Sequence, residues 1–332
     1  MATYKGIQGY SVQKLSSDPT VEDTIGQLFY NSTSGKFKIS TQGAAAWSSG
    51  GSLNTARGKA GNAGTQTAAL WAGGSDTPTD LTEIYDGTSW TEVNDLNTPR
   101  IFNSGTGTAT AAISAGGRTP GPPSTRISAV SEEYNGTSWA EEGDIPAVRE
   151  AGSGAGTTSA SLYIGGTPPS PPGVDIVLIN DGTSWAVSPA TLNTSRYQAA
   201  AVGITTAAMY IGGTPAIEEC ESFNGSTWTE VGDIPDPGTA GAASSGTQAL
   251  ALLSGGGPFP SPSPTPGTHV YSWDGTSWTT TTSLTTGRIN LGGTPSGTSS
   301  VAMVYGGGDG PQFSQTEEWN DPVYAIKTVT VS

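Results

Sequence analysis

The chain has 332 residues, of which 13 are basic and 28 acidic, and its net charge is −15. A field of that sign repels phosphate backbones, so we expect no nucleic-acid partner, and no apolar run is long enough for membrane insertion to be expected. One cysteine, Cys220, and one histidine, His269, exclude an internal disulfide framework and a histidine-rich metal site. The 48 glycines and 23 prolines indicate a turn-rich all-β fold, because the nine tryptophans argue against disorder.

Residues 1–46 lack the repeat that fills the rest of the chain, and we predict that they form a separate attachment segment. They contain no apolar core of the kind found in secretory signal peptides. Residues 26–39 (GQLFYNSTSGKFKI) predict a hairpin, because two apolar stretches flank the turn-forming residues 31–35. A strand is predicted within the C-terminal residues 322–332, and we expect it to pair with the N-terminal segment in a small sheet.

Gly-Gly pairs recur along residues 47–321 and mark six repeat units. The second glycines of successive pairs are 43, 49, 47, 43 and 51 residues apart. An apolar stretch that reads as a strand precedes each pair, as in AALWAGG and AAMYIGG. A period of this length with several short strands per unit is typical of the blades of a β-propeller. The pairs are Gly73-Gly74, Gly116-Gly117, Gly165-Gly166, Gly212-Gly213, Gly255-Gly256 and Gly306-Gly307.

Two further marks accompany the glycine pairs. Asp-Gly or Asn-Gly, followed after two residues by Trp, occurs in five units and predicts a hairpin turn. An arginine stands 17 residues before the second glycine in the first four units, Thr239 takes that place in the fifth, and an arginine takes it in the sixth after a two-residue insertion. The arginines are Arg57, Arg100, Arg149, Arg196 and Arg288.

Each unit is predicted to fold as four antiparallel strands. The first strand is rich in Gly and Ala and is expected to be innermost, where small side chains let backbones approach. The third strand ends in an aromatic residue such as Tyr85, and the fourth begins at a tryptophan such as Trp90. A four-residue loop would set Tyr85 opposite Trp90, whereas a two-residue turn would not. We expect the tryptophans to fill the space between units.

The last unit lacks a tryptophan strand of its own, since residues 315–321 are not followed by one. The missing strand is found near the N-terminus, where residues 47–57 align position for position with residues 90–100. We therefore predict that Trp47 to Asn54 complete the last sheet, join the two ends of the repeat region and remove two exposed sheet edges.

The repeated Gly-Gly, aromatic, Trp and Arg pattern resembles kelch repeats over residues 47–320. The resemblance implies an all-β fold, a six-bladed kelch-like β-propeller with N-terminal strand closure and a small β appendage made from the chain ends. It implies no particular function, because propellers host many. The copper site of galactose oxidase requires two histidines, and this chain has one. The Asp-Gly-Thr-Ser-Trp stretch differs in spacing from the sialidase Asp box. We therefore expect neither activity.

The opening residues and the stretch GQLFYNSTSGKFKI, followed by Trp47, resemble segments of bacteriophage virion proteins, in particular those of marine phages. This resemblance implies a structural protein that is assembled in the host cytoplasm and displayed outside on the particle. Its partners would be other virion proteins, bound through the N- and C-terminal segments, with a cell-surface glycan as a further candidate. Tail-fibre or head-fibre adhesion is the first hypothesis. A purely architectural capsid or tail subunit is the second, and a bacterial kelch interaction protein is the third.

One face of the predicted ring carries the loops of variable length. These loops join the second strand of a unit to the third, and the fourth strand to the first strand of the next unit. Three of these loops are Pro-rich, at 118–126, 167–173 and 257–267, and read either as a contact surface or as solvated spacers. The recurring arginines either form a basic ring for glycan carboxylates or sulfates, or cap loop carbonyls and stack on tryptophans. The candidate ligand-face residues are Arg57, Arg100, Phe102, Arg118, Arg126, Arg149, Arg196, Tyr197, Phe259, Arg288 and Phe313.

Catalytic chemistry is not expected. Acidic pairs such as Glu132-Glu133 and Glu317-Glu318 are neighbours on one strand, whereas a carboxylate acid and base must face each other at a defined separation. Motifs for a serine nucleophile or a phosphate-binding loop are absent from the sequence. We therefore expect no enzyme activity, no cofactor and no bound metal.

Overall fold

The computed structural model describes residues 12–19, 25–43, 45–122, 126–169, 173–258, 266–308, 311–321 and 324–330. Within these ranges the regular secondary structure consists of 27 strands, which we number β1–β27 in chain order. No helix long and apolar enough to cross a membrane occurs in this part of the chain. The chain divides into two compact units, one formed by residues 1–46 with 320–332 and the other by residues 47–319.

The first unit contains one sheet, the terminal sheet, built from both ends of the chain. Its order is β1-β2-β3-β27, with β1 parallel to β2 and the other pairs antiparallel. Asp18 accepts a hydrogen bond from Asn31 and pairs with Lys38 at 2.6 Å, which lowers the pKa of Asp18. The strands are β1 (Gln13–Leu15), β2 (Leu28–Asn31), β3 (Lys36–Gln42) and β27 (Tyr324–Thr328).

The second unit contains six further sheets, one for each repeat. Sheet 1 is β5 (Gly61–Thr65), β6 (Ala68–Ala72), β7 (Thr82–Tyr85) and β8 (Trp90–Val93). Sheet 2 is β9 (Ser104–Thr108), β10 (Ala111–Ala115), β11 (Ser131–Tyr134) and β12 (Trp139–Glu141). Sheet 3 is β13 (Ser153–Thr157), β14 (Ala160–Ile164), β15 (Val177–Asn180) and β16 (Trp185–Val187).

Sheet 4 is β17 (Ala200–Ile204), β18 (Ala207–Ile211), β19 (Cys220–Phe223) and β20 (Trp228–Val231). Sheet 5 is β21 (Ala243–Gly246), β22 (Ala251–Ser254), β23 (Val270–Trp273) and β24 (Trp278–Thr280). Sheet 6 has three strands, in the order β25-β26-β4, and they are β25 (Val301–Tyr305), β26 (Thr316–Asn320) and β4 (Ala46–Ser49).

The structure has seven sheets, one more than the six predicted blades, and the additional one is the terminal sheet, which was expected from the two chain ends. One feature differs from the sequence-based expectation. Sheet 6 has three strands instead of four, because the segment expected to be its first strand pairs with β25 only through the isolated bridges Gly292↔Tyr305 and Thr298↔Val301. Pro295 lies in that segment and has no N–H to donate to a ladder.

The repeated glycine pairs occupy backbone conformations that other residues rarely adopt. Gly73 and Gly74 have φ of 80° and 97°, and a Cβ on Gly73 would lie 2.5 Å from the carbonyl oxygen of Arg100. The Gly74 N–H donates to that same carbonyl at 2.7 Å, and equivalent bonds from Gly117, Gly166, Gly256 and Gly307 tie five of the six units to the start of the next. In the last unit Gly307 donates to Arg57 at 2.9 Å.

The Asp-Gly and Asn-Gly motifs form four-residue loops. Asp86 Oδ1 accepts the backbone N–H groups of Thr88 and Ser89 at 2.8 Å each, and Tyr85 pairs with Trp90 across the hairpin. The two rings are 5.2 Å apart. This confirms the longer of the two turns considered from the sequence.

Six equivalent residues, each two positions after the recurring Arg or Thr, form a closed ring of backbone hydrogen bonds, which we call the axial ring. Each N–H donates to the carbonyl of the equivalent residue in the preceding unit, and the first donates to the last. All six have positive φ. The bonds are Lys59 to Asn290 (3.0 Å), Phe102 to Lys59 (2.6 Å), Ala151 to Phe102 (2.8 Å), Gln198 to Ala151 (2.7 Å), Gly241 to Gln198 (2.8 Å) and Asn290 to Gly241 (2.8 Å).

Candidate functional site

The five recurring arginines do not form a basic ring on the ligand face. Their exposed fractions are 3% for Arg149 and 0% for the other four, so the prediction that places them in contact with a ligand is wrong. The physical reason is that each guanidinium turns inward to carbonyl and carboxylate oxygens. The four fully buried arginines are Arg57, Arg100, Arg196 and Arg288.

Four of these arginines form buried ion pairs with a glutamate on the third strand of the following sheet. Arg100 Nη2 lies 2.6 Å from Glu132 Oε1, and the other carboxylate oxygen accepts the backbone and side-chain N–H groups of Asn97. Burial lowers the pKa of the Arg100 guanidinium, and Glu132 opposes that shift. The remaining pairs are Arg57–Glu83, Arg196–Glu221 (2.8 Å) and Arg288–Glu317 (2.7 Å).

Neither of the two units without this glutamate keeps the asparagine. Where Leu178 takes the glutamate position, Pro146 replaces the asparagine and Arg149 donates to the Ile176 carbonyl at 3.3 Å. In the fifth unit Tyr271, Pro235 and Thr239 replace glutamate, asparagine and arginine together. Proline has no N–H for the absent carboxylate, so this donor is lost together with its acceptor, whereas the buried Thr239 hydroxyl has no hydrogen-bond partner among the described residues.

A second set of contacts joins neighbouring sheets through the tryptophans. The indole N–H of Trp139 donates to the Thr82 hydroxyl of the preceding sheet at 3.1 Å, and Trp185 donates to Ser131 at 3.2 Å. Trp90 of sheet 1 donates to Thr316 of sheet 6 at 3.0 Å. In sheet 4 the equivalent acceptor position is Val177, and the buried Trp228 indole nitrogen has no hydrogen-bond partner among the described residues.

The other candidate residues do not form one cluster. Phe102 and Arg118 meet beside the axial ring, with the Arg118 guanidinium 5.5 Å from the Phe102 ring centroid, while Arg118 pairs with the buried Glu150. Phe313 lies 5.9 Å from the Arg288 guanidinium and packs over the buried network. Tyr197 is half-buried, which raises the pKa of its hydroxyl, and the carbonyl of the half-buried Arg126 accepts a bond from Thr119. Phe259 lies outside the described residues.

The axial ring surrounds a cavity of about 100 Å³. The cavity lies on the face that carries the variable loops. Ile101, just before the ring residue Phe102, forms a β-bridge with Arg118 of one such loop. Tyr197, just before the ring residue Gln198, forms a β-bridge with Thr214 of another. Its polar lining consists mainly of amide and hydroxyl side chains, which are Asn62, Asn103, Ser104, Ser153, Gln198, Ser244 and Asn290.

The cavity lining is almost entirely uncharged. Lys59 is the one titratable side chain among its described lining residues, and its ammonium is held by Asp76 at 2.6 Å. Several lining groups also join neighbouring sheets: Ser244 donates to the Ala201 carbonyl at 2.8 Å and Asn62 to that of Gly293 at 3.2 Å. Within the described ranges, no group of three or more His, Cys, Asp or Glu side chains is placed to hold a metal ion.

Sequence reasoning identified Phe102 but missed the other five members of the axial ring. Their side chains differ from unit to unit, so no repeated letter marks the position. The usable signal is the fixed offset of two residues from the recurring arginine.

No protein-family model and no curated protein matches the chain. Among solved structures, that of YjhT, a kelch-like β-propeller, is similar with a TM-score of 0.64 and covers 85% of this chain and 99% of its own. The chain has a β-propeller fold. Sequence identity to YjhT is 14%, so the similarity extends to the fold alone.

Proposed function

We propose that the chain is a non-catalytic structural protein of a bacteriophage virion, in which the propeller is displayed on the particle and the chain ends attach it to other virion proteins. The support from the sequence is the resemblance of residues 26–39 and Trp47 to phage virion proteins. The observation that carries the proposal furthest is the two-unit division: both chain ends share the terminal sheet, and the propeller lies in a unit of its own.

The propeller in this proposal is six-bladed and closed by its N-terminal strand. Three contacts between the two ends of the repeat region support closure. β4 pairs with β26, Gly307 donates to Arg57, and Lys59 donates to Asn290. The axial ring has one member from each of six units, which supports the count of six blades.

Closure has a consequence for display. Because a strand from the start of the repeat region lies beside one from its end, the two chain segments outside the propeller begin next to each other. A single attachment unit can therefore be built from both. The face that carries the variable loops is the one that we propose contacts a host surface. Adhesion to a host glycan is the role we favour for that face, because its cavity is lined by amides and hydroxyls.

Mass spectrometry of purified particles tests the virion assignment. The material is the phage whose genome encodes this chain, purified by density gradient, with infected-cell lysate as the comparison. We expect the chain to co-purify with particles in a fixed ratio to a capsid protein. Its absence from particles, with abundant protein in the lysate, would overturn the assignment and favour a bacterial interaction protein.

Labelling of the particles separates adhesion from a purely architectural role. Antibodies against the propeller, imaged on intact particles, are expected to bind without prior disruption and to block adsorption to host cells. Particles that carry the chain and adsorb normally when the propeller is covered would favour the architectural role.

A further inference from the structure

The axial cavity has the charge properties of a site for a neutral ligand. The chain carries a net charge of −15, which disfavours an anion, and the cavity lining includes no carboxylate among its described residues to hold a cation. Its one ammonium group, on Lys59, is already paired with Asp76. Recognition must then come from hydrogen bonds and apolar contact.

Two amide side chains of the axial ring face each other across a gap. Gln198 Nε2 donates to Asn290 Oδ1 at 3.3 Å, Gln198 Oε1 accepts from the Thr214 hydroxyl at 3.4 Å, and Gly241, which lies between the two amides in the ring, contributes no side chain. Each amide offers two donor hydrogens and an acceptor oxygen with two lone pairs, so these contacts do not exhaust the pair. Groups of this kind bind hydroxyls, which also donate and accept.

Phe102 supplies the apolar part of the cavity mouth. It is the one aromatic residue of the axial ring, and it holds a φ of 53°, a conformation that is uncommon for a bulky residue. Its ring is fixed by two cations, the Lys59 ammonium at 5.7 Å and the Arg118 guanidinium at 5.5 Å from the centroid.

We propose that this axial cavity binds a single neutral sugar residue, with the amides of Gln198 and Asn290 on its hydroxyls and Phe102 against its C–H surface. A sugar ring combines hydroxyl edges with apolar C–H patches, which matches a lining of amides beside one phenyl ring. The volume of about 100 Å³ leaves room for a terminal residue and no longer segment. That the sugar belongs to a host glycan rests on the proposed function; the site itself does not.

Saturation-transfer NMR on the purified full-length protein tests the proposal. The probes are glucose, galactose, mannose and N-acetylglucosamine, with glucuronic acid and glucosamine as charged comparisons and an uncharged dipeptide amide as the peptide comparison. We expect transfer to at least one neutral sugar and weaker transfer to both charged ones. No transfer to any neutral sugar, or stronger binding of the charged sugars or the dipeptide amide, would overturn the assignment.

Three variants locate the binding. Phe102→Ala and Gln198→Ala introduce alanine, which position 151 already has at the equivalent backbone conformation. Ala151→Gln fills the cavity with the side chain found at position 198. We expect each to weaken sugar binding by about tenfold or more, which corresponds to roughly 1.4 kcal/mol. Ile204→Ser, at a half-exposed residue outside the lining, is the matched control and should bind normally.

Thermal melting of each variant identifies any that fail to fold, and a variant that melts early is replaced by Asn290→Ala. Unchanged affinity in all folded variants would overturn the site. This failure is distinguishable from failure of the proposed function, because sugar binding is measured on the isolated protein and virion incorporation on particles.

Discussion

The amide N–H of Lys59 donates a hydrogen bond to the carbonyl oxygen of Asn290 at 3.0 Å, although the two residues belong to the first and last repeats. This bond completes the axial ring, whose six residues all line the cavity. The sheets, the buried ion pairs and the indole bonds can be understood as the means by which unlike repeats are held at equivalent positions around that ring.

A hydroxyl at position 177 should stabilise the protein. Trp228 has no acceptor for its indole N–H among the described residues, whereas Trp139 in the equivalent place donates to Thr82. Val177→Thr supplies the acceptor with nearly the same volume, and we expect unfolding free energy to rise by about 1 kcal/mol in urea titrations.

The matched control for that change is Thr82→Val, which removes the acceptor of Trp139. We expect a loss of about 1–3 kcal/mol, the cost of leaving a buried donor unpaired. A loss of stability in Val177→Thr, or no loss in Thr82→Val, would contradict the role assigned to the indole bonds.

The buried ion pairs should behave as coupled units. Glu132→Tyr leaves the Arg100 guanidinium buried without its carboxylate, and we expect a cost of about 3–5 kcal/mol. Adding Arg100→Thr reproduces the Thr239 and Tyr271 combination of the fifth unit, so the double variant should be more stable than Glu132→Tyr alone. Chemical unfolding of both single variants and the double variant measures the coupling. Strictly additive losses would show that the pair does not act as a unit.

The aspartate loops should make stability depend on pH below 4. Hydrogen bonds from Thr88 and Ser89 lower the pKa of Asp86 to about 2, and loop hydrogen bonds also lower the pKa values of Asp181 and Asp274. Because the folded pKa lies below the unfolded value of about 3.9, the contribution is complete above that value and is lost as the pH falls through about 2.

Asn135 and Asn224 make the same loop contacts without titrating. The triple variant Asp86→Asn, Asp181→Asn, Asp274→Asn should therefore fold normally at neutral pH and lose less stability than the parent between pH 4 and pH 2. Urea titrations at several pH values provide the measurement. Parallel pH profiles for variant and parent would refute the role of these carboxylates.

Positions that need one particular residue could be predicted from the sequence. The glycine pairs, with both residues at positive φ, and the Asp-Gly or Asn-Gly loops repeat visibly because few other residues fit. The strand at residues 46–49 was found in the same way, since residues 47–57 repeat residues 90–100.

Positions that depend on a distant partner residue or on backbone conformation were harder to predict from the sequence. The arginines were placed among the ligand-face candidates because a charge is seldom buried, and four of the five are buried against glutamates about 25–32 residues later in the chain. The axial ring is a backbone feature that tolerates Lys, Phe, Ala, Gln, Gly and Asn, so its members share no side chain. The missing first strand of sheet 6 follows from a local proline, which the repeat spacing does not report.

A crystal structure of the full-length protein tests the central claim most directly. The account predicts six sheets around one axis, with residues 46–49 paired to residues 316–320 and the Lys59 N–H within hydrogen-bonding distance of the Asn290 carbonyl. A different number of sheets around the axis, or Lys59 and Asn290 far apart, would contradict it.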